Sequence, residues 1–219
     1  MRIFPLMAIV ALLFTACKSD KRYHDEVMAA TDLQVQDTID PIADIKAFQN
    51  KLNTQFKDKE ESPLKESDRL KFEGLEFYDI DLKYRVTAKL ELTPLAMPFE
   101  MPTTTSRRPL YKQYAIAHFV IDGQPYKLNI YQNQRLMMVE GYEDYLFAPF
   151  TDLTNGNGSY GGGRYMDLRM TEDEEITLDF NKTYNPYCAY NAKYSCPIPP
   201  AENDLPIAIN AGVKAFKKG

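Results

Sequence analysis

Asp122-Gly123 is the residue pair that most narrows the folds open to this chain. It turns the chain from an apolar run, Tyr114 to Ile121, into the stretch Tyr126 to Tyr131, and Asp-Gly in that position signals a two-residue hairpin turn. A central hairpin makes antiparallel sheet the starting point. Tyr84 to Leu92 supplies a further strand, with Tyr84, Val86, Ala88, Leu90 and Leu92 on one face and Arg85, Thr87, Lys89 and Glu91 on the other. Leu146 to Phe150, Arg164 to Leu168 and Glu175 to Phe180 read as strands. Glu172 to Glu175 reads as a solvated turn, and the Pro-rich stretch Pro197 to Pro206 as covering loop. Ahead of the strands, Ile42, Ile45, Phe48, Leu52 and Phe56 recur at helical spacing, with Asp40 placed to cap and Pro41 suited to the first turn. This helix is predicted to end before Pro63, and a second short one to cover Ser67 to Phe72. The expected fold is α+β: mainly antiparallel sheet, in a barrel or sandwich, with the N-terminal amphipathic helix packed on it.

The amino terminus sets a second constraint. One charge, Arg2, precedes an apolar run from Ile3 to Phe14 that is too short for a transmembrane helix, which needs ~20 apolar residues, and has the shape of a secretory signal. The run closes in Leu13-Phe14-Thr15-Ala16-Cys17, which resembles the lipobox of bacterial lipoproteins. That resemblance implies cleavage before Cys17, acyl chains on this residue, and a membrane partner through the lipid; two or more chains make such anchoring stable. Residues 1–16 are then a signal peptide, 17–40 a polar tether, and 41–219 a single globular domain. Lys18-Ser19-Asp20-Lys21 lacks the acidic run resembling a surface-export signal, so the expected address is the outer membrane, facing the periplasm.

The chain carries a formal net charge of -5, with no basic stripe, which argues against nucleic acid as a partner. Aromatic residues make up 12%, all Tyr and Phe, enough to build a folded core. Beyond Cys17 the cysteines are Cys188 and Cys196. An even pair in an oxidising compartment predicts a disulfide, with two packed thiols as the other reading. A zinc site is disfavoured, because four ligands are needed while His24 lies in the tether and His118 far off in sequence. No cofactor is implied.

Several spaced motifs resemble the domain-of-unknown-function family 1684: Phe77-Tyr78-x-Ile80-Asp81, Pro149-Phe150-x-Asp152-x-Thr154, Tyr160-Gly161-Gly162-Gly163-Arg164-Tyr165, Leu178-Asp179-Phe180-Asn181, Tyr184-Asn185-Pro186-Tyr187-Cys188-Ala189-Tyr190 and Cys196-Pro197-x-Pro199-x-x-Glu202-Asn203. The likeness runs from about Phe48 to Phe216. It implies a small lipoprotein of the Bacteroidota type, and the family brings no activity with it.

The chemistry must therefore be read from the residues. In Tyr160 to Tyr165, three glycines precede Arg164; backbone amides there could approach an anionic ligand while the guanidinium forks onto a carboxylate or phosphate. The competing reading is a glycine-rich turn with Arg164 paired to Asp152 or Asp179. Asp179, Asn181, Asn185, Tyr187, Glu202 and Asn203 form a second polar set interleaved with tyrosine, suited either to a small polar ligand or to stabilising turns. The candidate ligand-binding residues are thus Asp152, Tyr160, Arg164, Tyr165, Asp179, Asn181, Asn185, Tyr187, Glu202 and Asn203. No standard catalytic motif is found. His118 shares a strand face with Tyr114, Ile116 and Val120 and reads as a buried, satisfied histidine. Binding of a small polar or anionic ligand, or support of an envelope component, is the expectation. The alternative is a glycan hydrolase using carboxylates drawn from Asp152, Asp179 and Glu202.

Overall fold

The computed structural model describes residues 40–217; the signal segment, Cys17 and the tether as far as residue 39 lie outside the described residues. The chain runs through helix α1 (Pro41–Lys57), a short helix α2 (Glu66–Arg69), and strands β1 (Arg85–Leu92), β2 (Phe99–Glu100), β3 (Leu110–Ile121), β4 (Gln124–Asn133), β5 (Tyr145–Asp152), β6 (Arg164–Arg169), β7 (Glu175–Asp179) and β8 (Asp204–Leu205). They form one sheet of order β6-β5-β4-β3-β1-β7, with β2 added to β3 and β8 parallel to β5. All other pairings are antiparallel, and the sheet curls into a half-barrel. Asp122 and Gly123 both take positive φ, 51° and 76°, and the register closes at Ile121 opposite Gln124, as the hairpin signal requires.

Each face of the sheet has its own core. The inner face carries Ala88, Ala117, Leu128, Ala148, Met166 and Leu178, closed over by Ile209 and Ala211 from the C-terminal segment. On the outer face, register aligns Gln113, Tyr131, Phe147 and Asp167 across β3, β4, β5 and β6. Above this row sits a tyrosine-rich layer built from Tyr111, Tyr165, Tyr184, Tyr187, Tyr190 and Tyr194. Strand β5 is consequently buried on both sides and reads as an apolar run, Tyr145 to Phe150, rather than as an alternation. At the other end of the sheet the outer face meets solvent, with Thr87, Lys89 and Glu91 exposed.

A register shift between Gln113 and Ala115 makes Tyr114 an extra residue in β3. Side chains alternate along a strand, so a bulge exchanges the faces on either side of it. Ala115 and Ala117 point inward, while Tyr111, which strict alternation would also send inward, joins the outer tyrosine layer. His118 falls on the solvated part of the outer face. It is exposed and pairs with Glu91 at 2.9 Å, which corrects the expectation of a buried histidine.

Helix α1 begins where the Asp40 carboxylate accepts the Ile42 N–H, and it stops at Asp58, whose carboxylate takes the N–H groups of Glu60 and Glu61 and turns the chain away. Its buried face presents Ile45, Leu52 and Phe56. Each such side chain contributes roughly 1.5–3 kcal/mol of burial. Phe56 meets the rings of Phe72, Tyr187 and Tyr190, and Lys182 pairs with Asp44, so the helix packs over the tyrosine layer through the C-terminal segment.

The inner core ends at a buried ion pair. Arg164 is fully buried and donates to Asp152 Oδ2 at 2.6 Å, to Ile209 O at 2.9 Å, to Thr154 Oγ1 at 3.4 Å and to Ala211 O. Asp152 Oδ1 accepts the N–H of Thr154 at 2.7 Å. One guanidinium thus ties β5, β6 and the C-terminal segment together. Arg164→Ala leaves Asp152 as an unpaired buried charge and is expected to cost roughly 3–5 kcal/mol, lowering Tm by roughly 10 °C. Calorimetry of the two proteins checks this, and an unchanged Tm would show that the pair is dispensable.

Candidate functional site

The outer layer holds a carboxylate that the sequence reading did not single out. Asp167, in β6, is half-buried beside Phe147 of β5. The hydroxyls of Tyr145 and Tyr184 both donate to its Oδ1, each at 2.6 Å. Burial raises the Asp167 pKa from 3.8 to about 6, and the two tyrosine hydroxyls and the charge of Arg169 only partly oppose that shift. At pH 7 the group is nevertheless an anion, set in a layer of tyrosine rings.

Tyr184 reaches Asp167 because the residue pairs backbone to backbone with Tyr165, outside the named strands. Tyr145 starts β5 directly after a turn in which Arg169 donates to Gly141 O at 2.7 Å and to Asp144 at 2.5 Å. The Arg169 guanidinium also lies over the rings of Tyr142 and Tyr145, 5.5 and 5.9 Å from their centroids. Deeper in the layer, Gln55 of α1 donates to the Tyr187 hydroxyl at 2.8 Å. Burial pushes Tyr184, Tyr187 and Tyr190 well above the usual tyrosine range, so these hydroxyls stay protonated and keep a donor. The rings around this carboxylate are buried and pack against one another, Tyr165 on Tyr184 and Tyr187 on Tyr194.

The residues picked from sequence lie mostly in the framework around this layer. Asp152 and Arg164 are consumed by one another, which is the structural reading of the glycine loop. Tyr165 is buried and donates to Pro197 O. Asn181 Oδ1 accepts the Asp81 N–H at 3.1 Å while its amide donates to Asp81 O at 3.0 Å. Asn203 does the same for Asn129, at 2.8 and 2.9 Å, and also donates to Pro149 O at 2.7 Å. The Asn185 amide donates to Lys214 O at 2.9 Å. These asparagines staple loops to strands by meeting backbone groups that would otherwise be buried unpaired. Asp179 accepts from Asn181 and faces Arg85 at 3.6 Å, with burial raising its pKa. Glu202 is exposed. The three carboxylates on which glycan hydrolysis would rest therefore occupy three different surroundings. Of the ten, Tyr165 and Tyr187 belong to the tyrosine layer, while Tyr160 stands beside Cys188. Those cysteines are present as two thiols rather than as the expected disulfide.

A half-barrel with one core on each face and a carboxylate in the outer tyrosine layer defines the class of protein. Residues 70–214 match the family described as "Protein of unknown function (DUF1684)", and the chain belongs to that family. It is also similar to the solution NMR structure of an uncharacterized protein from Haloarcula marismortui, at 33% identity, over 79% of this chain and 93% of that one, with a TM-score of 0.62. No curated protein matches.

Asp167 makes a signed prediction about pH. Unfolded, its carboxyl loses its proton near 3.8; folded, it holds the proton to about 6. Between these values the folded state binds the proton and the unfolded state does not, so the contribution favours folding at low pH and is lost as pH rises through about 6. With solvent reaching part of the group, the loss is on the order of 2 kcal/mol. Asp167→Asn should accordingly be more stable than wild type at pH 8 by this order, with the gap closing toward pH 4. Denaturant titrations of both proteins across that range read it directly, and a mutant less stable at pH 8 would contradict the assignment.

Proposed function

We propose that this protein is a non-catalytic binding protein for a small polar molecule bearing a hydroxyl or amino group, received by Asp167 within the tyrosine layer. The observation that supports the reading is the Asp167 carboxylate itself: burial disfavours its charge, yet it remains ionised at pH 7. Its two tyrosine hydrogen bonds offset only part of that cost. Costs of this kind collect where a ligand repays them. Tyr142, half-buried beside Arg169, adds a flat apolar face of the kind on which sugars and organic cations rest. An anionic ligand at Arg164 fits less well, since that guanidinium is enclosed and already neutralised by Asp152. In this reading Cys17 carries the lipid and residues 18–40 hold the domain off the outer membrane, on the periplasmic side.

Melting of the purified protein against a set of neutral monosaccharides and a set of small primary amines tests the proposal. At least one set should stabilise wild type, and that gain should vanish in Asp167→Asn, which retains the shape of the site without the charge. Equal gains in both proteins, or none in either, would overturn it.

A further inference from the structure

Cys188 and Cys196 meet at the edge of the tyrosine layer. Cys188 lies in the single turn Tyr187–Ala189 and is half-buried; Cys196 is fully buried. The backbone N–H of Cys188 donates to Cys196 Sγ at 3.1 Å, and the two side chains are hydrogen-bonded to each other. Thr104 braces both. Its Oγ1 accepts the Cys196 N–H at 3.1 Å, its own N–H donates to Cys196 O at 2.9 Å, and its hydroxyl reaches the Cys188 thiol. The Tyr160 hydroxyl bonds Cys188 from another side. The groups bonded to Cys188 are thus two hydroxyls and the Cys196 thiol.

We propose that Cys188 and Cys196 constitute a dithiol redox site, with Cys188 the attacking thiol and Cys196 the resolving one. The roles follow from access and from donors. Cys188 is the sulfur that a reagent can approach, and the hydroxyls of Tyr160 and Thr104 are set to donate to it as a thiolate. Cys196 is enclosed but already in contact. The hydrogen bond from Cys196, with those from Tyr160 and Thr104, brings the Cys188 thiol down to about 7 against the opposing effect of burial. Tyr160 is itself pushed up to about 12 by burial, so it remains a donor throughout.

The co-reactant is a small external disulfide. Cys188 as thiolate attacks one of its sulfurs, forming a protein mixed disulfide and releasing the other half as a thiolate. Cys196 gives up its proton and attacks Cys188 Sγ, which closes the intramolecular disulfide and expels the second half. The two protons lost by the protein thiols end on the two released thiolates: the protein is oxidised by two electrons and the external disulfide is reduced by two. The product ties the turn carrying Tyr187 to the segment whose Pro197 carbonyl accepts the Tyr165 hydroxyl. This site stands independently of the ligand proposed at Asp167.

Oxidised glutathione is the probe. Reduced, native wild type should lose both thiols while retaining no glutathione by mass, and its initial rate should rise to half its maximum near pH 7. Cys196→Ala should stop at a protein carrying one glutathione, and Cys188→Ala should react many times more slowly than either. A stable glutathione adduct on wild type, two unreacted thiols in the native protein, or a Cys188→Ala variant as fast as wild type would overturn the proposal. The wild-type arm alone decides the matter if the Cys196 variant fails to fold.

Discussion

The ion pair between Arg164 and Asp152 is the constraint around which the fold is arranged. A fully buried guanidinium is tolerated when its charge is met and most of its N–H groups find partners; here Nη1 and Nη2 are met by Asp152 at the end of β5, by Thr154 just after it and by the carbonyls of Ile209 and Ala211, while Nε has no partner. The loop that delivers Arg164 has to pass under backbone. Gly163 has φ of 90°, and a Cβ there would sit 2.6 Å from Phe150 O and 2.7 Å from the Pro199 ring. Glycine is thus required at 163 by the close approach, while a Cβ on Gly161 would meet only ordinary contacts. Thr154 and Ser159 complete the corner with a hydroxyl contact of 2.7 Å.

With the inner face sealed in this way, the outer face is where the protein departs from the most stable arrangement. Fifteen tyrosines in the whole chain is a high number, and those over β5 and β6 replace what phenylalanine could fill without polar atoms. Their hydroxyls need partners. Asp167 supplies one such partner to two of them, and in doing so brings a charge into a layer that would be better packed without it. Framework and site are in this way divided between the two faces of the same two strands.

Much of this was legible in the sequence, for definable reasons. Asp122-Gly123 has few conformations to choose from, so the hairpin and its register followed. The alternation in Tyr84 to Leu92 is sharp because one side of β1 meets water. The stripe of α1 carried its own cap and stop. By contrast, His118 was misplaced because strict alternation from Tyr114 ignores the bulge at that residue, a matter of pairing partners and not of local pattern. Asp167 escaped notice because a single aspartate in Arg164 to Leu168 looks like the wet face of a strand; only the three-dimensional return of Tyr184 onto β6 encloses it. The asparagines are conspicuous for their bonding capacity, which the fold spends largely on its own backbone.

A ligand-binding role for the outer face requires that Asp167 be a carboxylate held against its own desolvation. An NMR titration that follows the Asp167 side-chain carboxyl carbon in the folded protein measures this directly. The predicted midpoint is about 6. A midpoint at or below the ordinary aspartate value of ~3.9 would mean that the layer solvates the anion fully, and would contradict the reading of Asp167 as a group kept for a ligand.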